Sequence, residues 1–282
     1  MRYVISLVFI FTLNPLLAQP NRSLPRENPF LQSQWYLGFF GGGNLAGTNA
    51  TASYNGYEPL NYSLSEIEKE YNNFSKLGGH AGLVFMYYSK GFTYGLKPGF
   101  QIYNTEYSTH AQWVDSANPT NTLDINYKYS TKFNYLEFPL TVQYDLMKNK
   151  FRPYVGLGAY YAILLSATRK IERSGTDGAS GSSGGFTNPP NTIGVKDLYI
   201  TSSLGLKGFI GASYDPGNIR ITIDIGYKYG LNNITSTENR YQNNQLSAIG
   251  DATDDLKLQN IYFTMAFVFP LKFISNQFNS VN

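Results

Sequence analysis

Between Ile219 and Leu231 the chain alternates with a period of two. Ile219, Ile221, Ile223, Ile225, Tyr227 and Tyr229 fall on one side, while Arg220, Thr222, Asp224, Gly226, Lys228 and Gly230 fall on the other. Only a β-strand sends successive side chains to opposite faces, so this segment is a strand with one wholly apolar face and one polar, charged face. The apolar faces of this and similar segments are long, aromatic at their ends, and set opposite small or charged residues. That pattern fits a wall with hydrocarbon outside and a polar lumen inside better than a sandwich packed around an oily core.

The rest of the chain is consistent with such a wall. Aromatics are 16% of the 282 residues, with 24 Tyr and 19 Phe, glycines number 27, and charged residues are only 15%. The absence of cysteine excludes disulfides, thiolate metal sites, a cysteine nucleophile and a lipid-modified N-terminal cysteine. A net charge of +3 without a basic stripe excludes nucleic acid as a partner. Residues 1–18 read as a secretory signal peptide: Arg2, an apolar stretch over residues 3–13, and Leu16-Leu17-Ala18 before a cleavage point after Ala18. The rival reading, an uncleaved anchor, is opposed by the shortness of that run and by Asn14-Pro15. Beyond it no apolar run approaches the roughly 18 residues of a spanning helix, so any membrane crossing is made by strands.

Eight strands are predicted, at residues 34–45, 77–89, 92–106, 126–144, 152–168, 198–214, 219–231 and 256–271. Leu136, Phe138, Leu140, Val142 and Tyr144 alternate with Glu137, Thr141 and Gln143, and Ile261, Phe263, Met265, Phe267 and Phe269 with Asn260, Tyr262, Thr264 and Ala266. The strand at 77–89 is ambiguous, because both of its faces are apolar. Short links (residues 89–91, 145–151 and 215–218) alternate with long ones (46–76, 107–125, 169–197 and 232–255), the third holding a Gly/Ser-rich, flexible stretch over residues 174–185. Residues 63–71 in the first long link suit a short helical turn.

In an up-and-down barrel such alternation puts every short turn on one side. Bacterial outer-membrane barrels have short periplasmic turns and longer external loops. The expected fold is therefore all-β, an eight-stranded antiparallel up-and-down transmembrane β-barrel over residues 34–273. It would be flanked by a periplasmic segment at 19–33 and a tail at 274–282, both expected to be mobile. The expected location is the bacterial outer membrane, with its lipid as the first partner.

Tyr135-Leu136-Glu137-Phe138-Pro139-Leu140, followed by Tyr144 and then by Arg152-Pro153-Tyr154-Val155-Gly156-Leu157-Gly158, resembles the paired "YLEIPL" and "kPYVGaG" strands of the PorT-like outer-membrane β-barrel family of Bacteroidetes. The resemblance implies an eight-stranded barrel rather than a catalytic activity. Some relatives take part in type IX secretion, so envelope or secretion proteins become possible partners. No functional residue carries over.

The leading polar constellation is a set of residues assigned to the lumen: Lys97, Glu137, Lys207, Arg220, Asp224 and Lys228. Counted from the short turns, Lys97, Glu137, Lys207 and Asp224 lie about 5 to 8 residues up their strands, at comparable depth. An eight-stranded barrel is just wide enough for side chains to fill it. The default role is thus a plug of paired charges, and the sharper alternative is a gate on a narrow ion path. His80 and His110 invite an enzyme hypothesis, but they are displaced along the wall by roughly 10 residues, about 33 Å, too far for a base and its orienter. His80 reads as an outer-rim polar residue.

Asp251, Asp254 and Asp255 could hold a hard cation, yet they lack the glycine turn and final Glu of an EF-hand and are more simply solvated loop carboxylates. Tyr161, Tyr227, Tyr229, Phe267 and Phe269 suit the membrane boundaries. No catalytic, metal or cofactor site is assigned. The function expected is a non-enzymatic structural or interaction component of the envelope, with a secretion component or a small channel as alternatives.

Overall fold

The computed structural model describes residues 29–56, 68–178 and 184–271. The proposed signal peptide, residues 63–67, the centre of the Gly/Ser stretch and the tail lie outside the described residues. Among the described residues twelve strands are present: β1 (Gln34–Ala52), β2 (Lys69–Tyr71), β3 (Leu77–Ser89), β4 (Phe92–Leu96), β5 (Gly99–Val114), β6 (Thr122–Asp145), β7 (Phe151–Asp177), β8 (Gly184–Thr187), β9 (Asn191–Gly194), β10 (Ser202–Tyr214), β11 (Arg220–Gly230) and β12 (Asp255–Pro270).

The wall closes into a ring. It runs β1, β3, then β4 and β5 together, β6, β7, β10, β11 and β12, and β12 returns to β1 from Tyr36↔Pro270 to Ala52↔Asp255. Counting β4 and β5 as one, this is an eight-stranded antiparallel barrel. Closure leaves no edge whose backbone groups hydrocarbon would strand. The single strand expected over 92–106 is divided at Lys97 and Pro98, because Pro98 lacks an N–H and so does Pro139, which faces Lys97 across the ladder. The register is unaffected, with Phe85 opposite Leu96 and Gly82 opposite Gly99. The turn between β3 and β4 has φ of 52° at Lys90 and 92° at Gly91, the two positive values a type I′ hairpin needs.

Facing follows the alternation, inverted relative to a soluble protein. On β11, Ile223, Ile225 and Tyr227 are exposed while Arg220, Thr222, Asp224 and Lys228 are buried. Leu157 is 73% exposed, Leu140 and Ile210 64%, exposures that water would penalise by roughly 1.5–3 kcal/mol per side chain. A belt of rings, Trp35, Tyr94, Tyr144, Phe151 and Tyr214, surrounds the short-turn end, as expected at a headgroup boundary. Among the described residues no helix is long and apolar enough to cross a membrane.

Farther along the strands the polarity reverses. On β6 the outward series Tyr144, Val142, Leu140, Phe138, Leu136 gives way to Asn134, Lys132, Ser130 and Lys128, while the inward series changes from Gln143, Thr141 and Glu137 to Tyr135, Phe133 and Tyr129. The β6–β7 register shifts by one residue at this level, between Asn134 and Tyr135. β12 changes likewise, from Ile261 outward and Asn260 inward to Gln259 and Lys257 outward and Leu258 and Leu256 inward. The apolar outward run is thus 9 residues on β6 and on β12, matching the 9–11 tilted residues that cross a bilayer. Beyond it the barrel becomes an ordinary water-facing β-protein with an aromatic core.

This reversal corrects the long links. Most of the expected link 107–125 is strand, leaving residues 115–121 as the connection, and β7 runs on to Asp177 with β8 and β9 folded back onto it. The flanks of the Gly/Ser stretch are therefore ordered strand. Lys69–Tyr71 is not a helical turn but a strand paired with β5. Leu198 belongs to a 3-10 turn, Lys196–Leu198, not to β10.

A second correction concerns the residues before β1. Pro29–Leu31 form a 3-10 turn, and Phe30, 2% exposed, enters the short-turn mouth against Tyr36, Val84, Met86 and Tyr88. That packing explains why both faces of β3 are apolar: Leu83 and Phe85 meet lipid, and Val84 and Met86 meet the plug.

Candidate functional site

The lumen is filled in three layers. At the short-turn mouth, Arg152 holds Asp145 at 3.1 Å and Asp215 at 2.5 Å, and Arg220 holds Asp215 at 3.0 Å. Arg220 also donates to the Phe30 carbonyl at 3.1 Å, which Tyr36 Oη reaches at 3.0 Å, and its guanidinium lies 4.5 Å from the centroid of Tyr36. The geometry supplies buried cations with paired carboxylates and ring faces, the arrangement that makes buried charge tolerable.

The middle layer contains Lys97, Glu137, Lys207, Asp224 and Lys228. Lys228 Nζ is 2.6 Å from Glu137 and Lys97 Nζ is 3.2 Å from Asp224. Tyr103 donates to the second oxygen of Glu137 at 2.8 Å, and Tyr154 donates to Asp224. Lys207 has no carboxylate within ion-pair distance among the described residues; it sits 4.6 Å from the Tyr262 ring centroid and 5.5 Å from that of Phe209. These rings lie against the wall because Gly226 and Gly156 present no side chain, and a Cβ at either position would collide with Tyr262 or Phe209. The space left in this chamber is about 20 Å³, room for about one water.

Of the six residues singled out from sequence, five meet here and Arg220 does not. It is four residues from Asp224 on a strand rising about 3.3 Å per residue, which drops it into the mouth layer. His80 is likewise not at the rim. It is buried in the middle chamber, its Nε2 2.8 Å from Thr264 Oγ1, and it lies opposite Gln101 on β5. His110 is nine residues beyond Gln101, its Nε2 2.8 Å from Asp124 on the exposed, outward side of the wall.

The outer layer was not anticipated. Arg169 donates to Asp251 at 2.9 Å, to Tyr199 at 2.6 Å and to Thr131 at 3.1 Å, and Tyr107 donates to Asp251 at 2.8 Å. Lys69 pairs with Asp254 at 2.6 Å, which also accepts from Tyr71 at 2.6 Å, and Arg240 pairs with Asp255. Burial would depress the Arg169 guanidinium, but Tyr107, Tyr199 and Asp251 outweigh it and raise its pKa, so it stays cationic. Burial, reinforced by the neighbouring Asp254 charge, raises the Tyr71 phenol well above its ordinary value and keeps it a donor.

Asp251 and Asp254 are therefore not solvated loop carboxylates: both side chains are fully buried and bound by Lys69 and Arg169. Among the described residues no group of His, Cys, Asp and Glu is placed to hold a metal ion. Parity along the strands would have exposed part of what was missed, since Asp145 continues the inward series of Glu137 and Gln143, and Arg152 that of Tyr154. Nothing local foretells Arg169 with Asp251, which are 82 residues apart.

No curated protein matches the chain. Its wall is similar to several solved structures. Neisserial surface protein A is 13% identical, covering 82% of this chain and 95% of that one with a TM-score of 0.32. Ail, the attachment invasion locus protein of Yersinia pestis, is 13% identical over 84% and 99% with a TM-score of 0.29. The outer membrane protease OmpT from Escherichia coli is 11% identical over 85% and 98% with a TM-score of 0.40. Superpositions this loose carry no argument about activity. The family model described as outer membrane protein beta-barrel domain matches residues 17–236, more than half of the chain and most of the closed wall. The chain belongs to this outer membrane β-barrel family and is a protein of the bacterial outer membrane.

Proposed function

We propose that the protein is a non-enzymatic component of the envelope that presents a rigid β-walled head outside the membrane, and that its barrel is an anchor rather than a conduit. The observation that carries this reading is the filled lumen: Phe30 with Arg220, the five-charge chamber and the Arg169–Asp251 layer stand in series, and the middle one leaves about 20 Å³. Two ion pairs, Lys228 with Glu137 and Lys97 with Asp224, together with Lys207 over the Tyr262 and Phe209 rings act as a plug. β6 and β7, at 24 and 27 residues, are more than twice what a crossing needs, so about half of each builds the head. Inserted into planar bilayers, the full chain is expected to give no discrete conductance steps. Reproducible steps that change when Lys228 is replaced by Met would replace this reading with the channel.

The stretch resembling the PorT-like family supports a finer version, in which the head or the periplasmic segment docks to a protein-export assembly of the type IX class. Glu137 of that stretch accepts from Lys228 and Tyr103 inside the wall, so the motif marks the anchor, and docking falls to the head. Recovery of envelope proteins with a tagged chain from cross-linked cells tests it, and recovery of none removes the export reading.

A further inference from the structure

The level at which the outer wall changes from apolar to polar is uneven around the barrel, and on β5, β6 and β7 it is marked by lysines. The last apolar outward residues there are Ile102, Leu136 and Leu165. Above them, past Asn134 and Ser166 in the row of Ile102, Asn104, Lys132 and Thr168 stand side by side in one cross-strand row, followed by Glu106, Ser130 and Lys170, and then by Lys128 beside Glu172. Lys76, in the segment leading into β3, reaches Glu106 at 2.9 Å, and Lys128 reaches the same carboxylate at 3.1 Å. Lys170 holds Glu172 at 2.6 Å. No carboxylate lies within ion-pair distance of Lys132 among the described residues. Lys76, Lys132 and Lys170 against Glu172 leave two positive charges in excess around an open recess of about 380 Å³, with Leu77 on its wall beside Asn104.

Burial would raise the Glu106 carboxyl, but the hydrogen bonds from Lys76, Lys128 and Asn72 outweigh it and hold it below its ordinary value. Glu172 is lowered first by its bond to Lys170 and then by the charges of Lys128 and Lys76. The recess is thus a positive field in which anions are favoured.

Its height selects the kind of anion. Rows of outward residues are about 6.6 Å apart along a strand, less once tilt is included. Lys132, one row above Ile102 and two above Leu136, therefore lies roughly 5–10 Å above the hydrocarbon edge, with Lys170 and Lys128 successively higher. The headgroup layer on each side of a bilayer is about 5–8 Å deep, so Lys132 stands at its outer limit and Lys170 and Lys128 just beyond, where a bulky phosphorylated headgroup projects. A soluble anion would gain nothing from the exposed apolar wall beneath, where Leu165 and Phe100 are 44% and 42% exposed. A phosphorylated lipid would use both.

We propose that this recess binds the phosphorylated headgroup of an outer-leaflet lipid, with Lys76, Lys132 and Lys170 meeting phosphate oxygens and the acyl chains lying along Ile102, Leu136 and Leu165. Phosphate displaces the glutamates as the partner of Lys76 and Lys170 and supplies the partner Lys132 lacks.

The test uses the full chain folded in a neutral detergent, with diphosphorylated lipid A, zwitterionic phosphatidylcholine and inorganic phosphate as separate probes, read by native mass spectrometry and by thermophoresis. Lipid A should bind preferentially, and K76Q/K132Q/K170Q should weaken it about tenfold or more. K90Q/K148Q/K150Q, which removes the same charge from the short-turn end, should leave it unchanged. Retention of the barrel's heat-modifiable mobility establishes folding, and if the first triple variant does not fold, K132Q alone carries the comparison. Equal binding of phosphatidylcholine, equal weakening by both triple variants, or inorganic phosphate binding as tightly as lipid A would each overturn the proposal, the last in favour of a soluble anion.

Discussion

Removing Glu137 should destabilise the barrel more than any other single change in the middle chamber. At 2.6 Å from Lys228 and an effective dielectric of about 20, the attraction is about 6 kcal/mol, and most of it is offset by the cost of dehydrating two ions. Taking away one partner forfeits the attraction and leaves the other ion dehydrated, a loss of about 3–5 kcal/mol. The surroundings set the order within that range. The chamber holds Lys97, Lys207 and Lys228 against Glu137 and Asp224, a surplus of one positive charge. Glu137→Leu raises the surplus to two and leaves the Tyr103 hydroxyl proton without its acceptor, so its cost belongs at about 5 kcal/mol. Lys228→Met removes the surplus and leaves Glu137 bonded to Tyr103 at 2.8 Å, at about 3 kcal/mol. The double variant should cost only about 0–2 kcal/mol, and Lys207→Met, which deletes the lysine without a carboxylate partner, should be neutral or stabilising. Guanidinium unfolding from lipid vesicles, followed through the emission of Trp35 and Trp113, the only two tryptophans, measures all four. Single-variant costs that add to the double-variant cost within about 0.5 kcal/mol would mean that the charges are solvated independently, and the argument from a filled chamber would fail.

The reversal of polarity along the wall has its own signature: Ile225→Arg, 55% exposed in the apolar band, should cost about 2–4 kcal/mol of insertion free energy, whereas Thr168→Arg, equally outward but above the band, should cost about 0–1 kcal/mol. The same vesicle unfolding measurement separates the two, and equal costs would place the hydrocarbon edge elsewhere. At the mouth, Phe30→Ala should release the 3-10 turn, because a fully buried phenylalanine contributes about 3–5 kcal/mol. Faster protease cleavage between Pro29 and Gln34 in folded protein would show this, and an unchanged rate would mean that Arg220 alone retains the segment.

How far the sequence reaches depends on whether a residue's role is decided by its own strand. Facing is decided that way. The pleat gives each residue one side or the other, so Ile219 to Leu231 and Leu136 to Tyr144 disclose the lipid side and the lumen side with no knowledge of their neighbours. The eight crossings and the alternation of short and long connections follow from the same periodicity, and the count determines closure. Legibility ends where the hydrocarbon ends. Above Leu136 and Ile261 the same strands continue with opposite polarity, and a search for oily outward faces registers them as loops.

Which charges meet depends on the tilt and stagger of eight strands around a ring, and no single segment carries that information. It brings Lys228 of β11 to Glu137 of β6 and Lys97 of the β4–β5 break to Asp224, and it takes Arg220 down to Asp215 and Phe30. It likewise turns Asp251 and Asp254, loop carboxylates by composition, into buried partners of Arg169 and Lys69. By itself the sequence determined an inside-out wall of strands bound for a membrane, because side-chain alternation is a local consequence of backbone geometry. Only the tertiary structure decided that the lumen is packed shut, because occlusion is a sum over side chains that converge from different strands.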